Sequence, residues 1–183
     1  MKSLQTELQG PILLEPTVHG DERGFFQETY RRSLFAELGI DHDFVQDNHS
    51  RSAQGVVRGI HFDVTGQAKV IRCVRGAILD VLVDLRRGSP DFGRWEGFEL
   101  SDENHHQLYV PPGFGHGFCV TSEIADVVYK LSSYYDPSTE RGFAYDDPEV
   151  GIEWPADGLK VSERDANAPS LAEIAADLPF RHP

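Results

Sequence analysis

Apolar and polar positions alternate along most of this chain with the two-residue period of β-strands. The clearest stretch runs from Ala77 to Leu85: Leu79, Val81, Val83 and Leu85 share one parity, while Ile78, Asp80, Leu82 and Asp84 share the other. Val56 to Phe62 and Lys69 to Val74 read as two further strands, and Gln107 to Val110, Gly117 to Thr121 and Asp126 to Tyr134 continue the series. Turn-forming clusters separate them at Arg75-Gly76, Gly88-Ser89-Pro90, Pro111-Pro112-Gly113 and Asp136-Pro137-Ser138. Many short strands at this spacing predict a sandwich, jelly roll or barrel rather than a parallel βαβ sheet.

Helical periodicity is confined to the ends. Ser33 to Leu38 carries Leu34, Phe35 and Leu38 at helical spacing and stops at Gly39, a C-terminal cap by composition. Ser170-Leu171-Ala172-Glu173 is a capping-box pattern, and it predicts a short helix whose Leu171, Ile174 and Leu178 share a face. Internal repeats and linkers are missing from the pattern, so residues 1–183 are expected to form a single domain.

Composition narrows the function classes. A chain of 183 residues that is 39% hydrophobic and 26% charged is that of an ordinary globular protein with a substantial core. No apolar run approaches the ~18 residues a membrane helix needs, and the Met1 to Glu7 segment does not read as a signal peptide. A cytoplasmic location is the expectation. Cys73 and Cys119 sit in apolar strand-like runs without CxxC spacing, which predicts buried free thiols. The net charge of −13 argues against non-specific nucleic-acid binding. An anionic small substrate would need a local basic cluster, and Arg23, Arg58, Lys69, Arg72 and Arg75 fall near the candidate chemistry.

That chemistry is carried by His61, Lys69, Tyr129 and Asp165. Proton abstraction beside a carbonyl needs a base titrating near neutrality, a carboxylate to orient it, a cation for the enolate and a second proton donor. His61 and Lys69 are placed on adjacent strands with a turn at Gly66 between them, and Tyr129 shares a face with Val127 and Leu131. Asp165 falls in a C-terminal loop that can fold back onto the imidazole. Taken singly, each has a plainer reading as a core histidine, a surface lysine, a packing tyrosine or a loop carboxylate. A metal centre built on His61, His105, His106, His116 and Glu103 is the rival. It lacks the HxH spacing of metal cupins, and adjacent His105 and His106 would point to opposite faces of a strand. Phosphate-binding glycine loops and GxSxG elbows are missing too.

A longer set of ordered motifs goes further. Asp21-Glu22-Arg23-Gly24-Phe25-Phe26-Gln27-Glu28, Phe44 to Ser50, Val57-Arg58-Gly59-Ile60-His61-Phe62, Asp84 to Gly93, Val110 to Phe118, Tyr129-Lys130, Asp146-Asp147-Pro148 and Ile152-Glu153-Trp154-Pro155 occur in that order. Together they resemble the dTDP-4-dehydrorhamnose 3,5-epimerase family from about Ile12 to Leu171. The resemblance implies a mainly β, cupin-like jelly roll with short flanking helices, forming a homodimer and needing neither metal nor organic cofactor. It implies epimerisation of a dTDP-4-keto-6-deoxyhexose at C3 and C5 through enolates. His61 would be the base, Lys69 the enolate-stabilising cation, Tyr129 the general acid and Asp165 the carboxylate that orients His61. Gln46, Asn48, Arg58, Glu28 and His116 would contact substrate. Arg23 and the Phe25-Phe26 pair would reach nucleotide or phosphate, partly across the dimer interface, and Thr6 to Thr17 looks suited to pairing with a partner sheet.

Three local features set conditions on that reading. Arg58 and His61 fall on opposite faces of an ideal strand, so both can face substrate only if Gly59 introduces a bulge. The segment from Phe62 to Ala68 is about two residues shorter than in many relatives, and Asp63 stands where Gln is common. An acid there would reorient the sugar or raise the pKa of His61. Single 3- or 5-epimerases of other dTDP-4-keto sugars share nearly all these motifs and are the alternative. A cupin that only binds sugar nucleotides is a third reading.

Overall fold

The structure, a computed structural model, describes residues 1–182. The chain opens with β1 (Lys2–Leu4) and β2 (Ile12–Glu15), the hairpin β3 (Val18–Asp21) and β4 (Gly24–Gln27), and helix α1 (Arg32–Glu37). The long strands β5 (Gln46–Ala53), β6 (Val57–Asp63), β7 (Lys69–Arg75) and β8 (Ala77–Asp84) follow. β9 (Trp95–Ser101), β10 (Gln107–Val110), β11 (Phe114–Val120), β12 (Ile124–Leu131) and β13 (Glu140–Gly142) complete the sheets. Helices α2 (Glu163–Ala166) and α3 (Leu171–Ile174) lie in the C-terminal segment.

The strands form a six-stranded sheet ordered β1-β2-β10-β7-β12-β5 and a five-stranded sheet ordered β13-β6-β11-β8-β9, with β3-β4 as a separate ribbon. From β9 to β13 the chain changes sheet at every step, the weave of a jelly roll. The mainly β expectation holds.

Strand parity explains how the core divides. Both faces of β8 are buried. Ile78 and Leu82 enter the space between the sheets with Ile71, Phe98, Leu108 and Phe118. Val81, Val83 and Leu85 face outward into a second cluster with Ile60, Phe62 and Phe143, sealed by Leu171 and Leu178 of the C-terminal segment. Side chains of this size each contribute roughly 1.5–3 kcal/mol when fully buried. Helix α1 places Phe35 in a third cluster with Leu14, Ile40 and Tyr109. It ends as a Schellman turn: Gly39, at φ +86°, donates to the Ala36 carbonyl, and Ile40 donates to that of Phe35. The Ser170–Glu173 capping box forms as the sequence predicts, and Leu171, Ile174 and Leu178 all pack against the second cluster.

Two expectations are corrected. β6 and β7, taken from the sequence as hydrogen-bonded neighbours, belong to different sheets. The link around Gly66 is a crossover between layers, because β10 and β12 already flank β7. The Thr6 to Thr17 stretch supplies β2, whose two edges are taken by β1 and β10 of the same chain, so it is not free to pair with a partner sheet. Both cysteines are buried and free, as expected.

Candidate active site

At one region between the sheets the apolar packing gives way to a cavity of about 630 Å³. Phe118 and Val127 belong both to the core and to its wall. His61 reaches it from β6 of the five-stranded sheet, and Lys69 and Tyr129 from β7 and β12 of the facing sheet. Lys69 pairs in register with Leu131, two positions from Tyr129, which makes the two side chains diagonal neighbours on one face. A histidine thus confronts an ammonium and a phenol across a single space.

The carboxylate arrives from far along the sequence. Lys160 forms a parallel bridge with Val56, and its backbone bonds to Val57 and Gly55 at 2.9 and 2.8 Å, laying the C-terminal segment along the start of β6. Ser162 then caps the single turn of α2, accepting from the Asp165 N–H at 3.1 Å. Asp165 Oδ1 lies 2.7 Å from His61 Nε2, and Oδ2 accepts from the Gly59 N–H at 3.4 Å. Burial pushes this carboxyl up, but the hydrogen bond and charge of His61, with the Gly59 and Ser162 bonds, bring it below its ordinary value. An ionised Asp165 accepts a hydrogen bond from Nε2–H, which keeps that proton on the ring and leaves the unprotonated Nδ1 as the base. Gly142, opposite His61 on β13, makes room for the ring: a Cβ there would sit 3.2 Å from His61 Cδ2 and 2.5 Å from the Ile60 carbonyl oxygen.

The required bulge is present. His116 pairs with His61 and Phe118 with Arg58, so three steps along β6 oppose two along β11. The extra residue falls at Gly59–Ile60, where the peptide is cis and Gly59 has φ +134°. A Cβ on Gly59 would lie 2.5 Å from Gly117 Cα. The bulge puts Arg58 and His61 on the cavity side while Ile60 and Phe62 pack outward. Arg58 is braced by Ser52 Oγ at 3.0 Å.

Of the expected contacts, Gln46, Asn48, Arg58 and His116 line the cavity with the four catalytic candidates. Arg23, Phe26 and Glu28 do not. The β3-β4 ribbon pairs with neither sheet, so it carries them away from the cavity of their own chain. Arg23 holds Asp21 at 2.5 Å and Glu28 holds Arg31 at 3.2 Å, while Phe25 and Phe26 are 61% and 71% exposed. Asp63 also departs from expectation. It accepts from the Thr65 N–H at 2.8 Å, the Thr65 hydroxyl and the Thr139 hydroxyl at 2.6 Å, and so clamps the turn that follows β6 instead of lining the cavity. Arg72 faces a different depression, on the other side of the six-stranded sheet, and Arg75 lies at the far end of β7.

Sequence reasoning missed Tyr135, Glu140, Lys160 and Arg164, all of which line the cavity. Gln46 Oε1 holds the Tyr135 backbone at 2.9 Å, and Glu140 pairs with Arg164 at 2.5 Å. The exposed Tyr134-Tyr135 pair before a Pro turn was the available signal for the first. Arg164 stood beside Asp165, but α-helical offset was needed to aim it. Lys69 is only partly covered by surface area, yet the protein packed around it pulls its pKa below the usual lysine value, opposed by Glu140, Asp80 and Asp63.

Known proteins match this chain along nearly its whole length. The sequence model of the dTDP-4-dehydrorhamnose 3,5-epimerase family matches residues 5–173. The chain belongs to that family. A dTDP-4-dehydrorhamnose 3,5-epimerase from Shigella flexneri is 44% identical over 94% of this chain and 97% of its own length. The crystal structure of a Legionella pneumophila dTDP-6-deoxy-D-glucose-3,5-epimerase in complex with dTDP-4-keto-L-rhamnose superposes with a TM-score of 0.96. That protein is 43% identical, with 100% of this chain and 98% of the other covered. A Streptomyces niveus protein named dTDP-4-dehydrorhamnose 3-epimerase is 47% identical over 91% of this chain and 82% of its own, so family members with this sequence pattern carry both names.

Proposed function

We propose that this protein epimerises dTDP-4-dehydro-6-deoxy-D-glucose at C3 and C5 to dTDP-4-dehydro-L-rhamnose. The observation that carries the reading is the His61–Asp165 pair facing Lys69 and Tyr129 across one cavity. Both carbons flank the C4 ketone, so one polarised carbonyl acidifies both. His61 Nδ1 takes the proton, and the C–H electrons pass into the enolate. Lys69 steadies the oxyanion at O4. Tyr129 delivers a proton to the opposite face of the same carbon, inverting it, and exchange with solvent resets both groups before the second carbon reacts. The ketone supplies the acidity, so these steps call on side chains alone.

The cavity volume lies within the range of small-molecule sites. Arg58 and Lys160 at its wall provide the local positive charge a nucleoside diphosphate requires against a chain of net −13. The exposed Arg23, Phe25 and Phe26 on the β3-β4 ribbon fit a homodimer in which each chain extends its ribbon toward the partner's cavity. Among the described residues no helix is long and apolar enough to cross a membrane, and two buried free thiols suit a reducing cytoplasm.

The Streptomyces niveus relative supports a second reading, inversion of C3 alone. Incubation with dTDP-4-dehydro-6-deoxy-D-glucose in deuterated water, followed by NMR of the sugar, separates the two. Deuterium at C3 and C5 with inversion at both is the expected result. One labelled carbon selects the single epimerase, and none at either carbon leaves only a sugar-nucleotide binding protein.

A further inference from the structure

The cavity wall holds a second histidine–aspartate pair that the proton transfers above leave unused. His116 lies directly opposite His61 in the β6–β11 ladder, so two imidazoles stand side by side on the inner face of one sheet. His116 Nε2 is 2.9 Å from Oδ2 of Asp80, on the next strand of the same sheet. Asp80 is completely buried, at 0%, while His116 retains 12% exposure toward the cavity. The second carboxylate oxygen, Oδ1, is buried without a hydrogen-bond partner among the described residues. Burying a half-satisfied carboxylate is unfavourable: burial pushes the Asp80 carboxyl up, opposed by the charge and hydrogen bond of His116 and the charge of Lys69. Its neighbours on the same face of β8, Ile78 and Leu82, are apolar and fully buried, so packing alone gives no reason for a charge between them.

We infer that Asp80 is a positioning residue for the reaction proposed above: its carboxylate fixes the ring of His116 with Nδ1 turned to the substrate, and its charge keeps Lys69 an ammonium where the enolate forms. The inference rests on the epimerase reading. Three carboxylates bear on Lys69: Glu140 from β13, Asp80 from β8 and Asp63 from β6. Glu140 is neutralised by Arg164, and Asp63 is occupied by Thr65 and Thr139. Among the described residues Asp80 has no lysine or arginine in hydrogen-bond or ion-pair contact, and its field reaches the cavity through protein rather than water. The cations Arg58 and Lys160 on the same cavity act the other way, favouring a neutral amine, while Arg164 is offset by Glu140. His61, Tyr129, Tyr135 and Asp165, with His116 itself, complete the titratable groups that line that space.

Asp80→Asn separates the two roles, because its amide oxygen still accepts from His116 while the charge is gone. Asp80→Ala removes both. In folded Asp80→Asn, kcat is expected to fall roughly 10- to 100-fold with KM little changed. The alkaline limb of its kcat profile should move down by about one pH unit as Lys69 deprotonates earlier. Asp80→Ala should in addition raise KM. Independently of how the variants fold, 15N shifts of the wild-type protein should show His116 carrying its proton on Nε2. An unchanged kcat with an unmoved alkaline limb in folded Asp80→Asn overturns the inference, as does a wild-type His116 protonated on Nδ1 alone. Wild-type protein that labels neither C3 nor C5 in deuterated water overturns the epimerase reading instead, so the two failures are told apart.

Discussion

Asp165 and His61 stand 2.7 Å apart although 104 positions separate them in sequence. What joins them is short: a bridge at Lys160, a capping serine at 162 and one turn of helix. The base is therefore assembled by a strand-like bridge late in the chain, and its protonation state depends on that contact surviving.

Asp165→Asn preserves shape and removes the charge that selects the Nε2–H tautomer and stabilises the imidazolium. kcat should drop by about a hundred- to ten-thousand-fold, with KM near the wild-type value and an unchanged circular dichroism spectrum. Retention of more than about a tenth of wild-type turnover would show that His61 does not rely on this partner as general base.

Tyr129→Phe should split exchange from inversion. His61 can still remove a proton and return one from solvent on the same face, so deuterium enters the sugar while its configuration is retained. Mass spectrometry for label and NMR coupling constants for configuration check this. Normal inversion in the variant would remove Tyr129 from the mechanism.

Gly59→Ala tests the bulge. The residue sits at φ +134°, and a Cβ would meet Gly117 Cα at 2.5 Å and the His116 carbonyl oxygen at 2.9 Å, both backbone atoms that cannot swing away. The substitution should destabilise the protein by more than about 1 kcal/mol and abolish turnover, because Arg58 and His61 can no longer share a face. Thermal unfolding with an activity assay settles it, and a stable, active alanine variant would contradict the geometry.

Acid should loosen the fold through Asp126. Paired hydrogen bonds from Arg51 at 2.7 and 2.8 Å hold its carboxyl at about 2, below the ordinary 3.8, with His49 adding to the effect against burial. A depressed carboxylate stabilises the folded state fully above its unfolded value and loses that contribution as pH falls through its folded one. The thermal midpoint should therefore decline as pH drops from 3.8 toward about 2. Arg51→Gln should lower it at neutral pH and flatten the acid slope. Identical acid slopes in the two proteins would assign the effect elsewhere.

Local physics made much of this legible in advance. Alternation along Ala77 to Leu85 placed β8 and both its faces, Gly39 ended α1, and the Ser170 capping box opened α3, since each is a matter of residues within a few positions of one another. The ordered motifs were enough to name the family and the four side chains that meet in the cavity. The tertiary structure alone decided that β6 and β7 lie in opposite sheets, so that His61 faces Lys69 instead of flanking it. It also decided that Asp63 clamps a turn, that Arg23, Phe26 and Glu28 leave their own cavity, and that Asp80 stands behind His116. Periodicity says which face of a strand is apolar. Which strand lies against which is set by burial and register summed over contacts between distant parts of the chain, and no short stretch of sequence contains that sum.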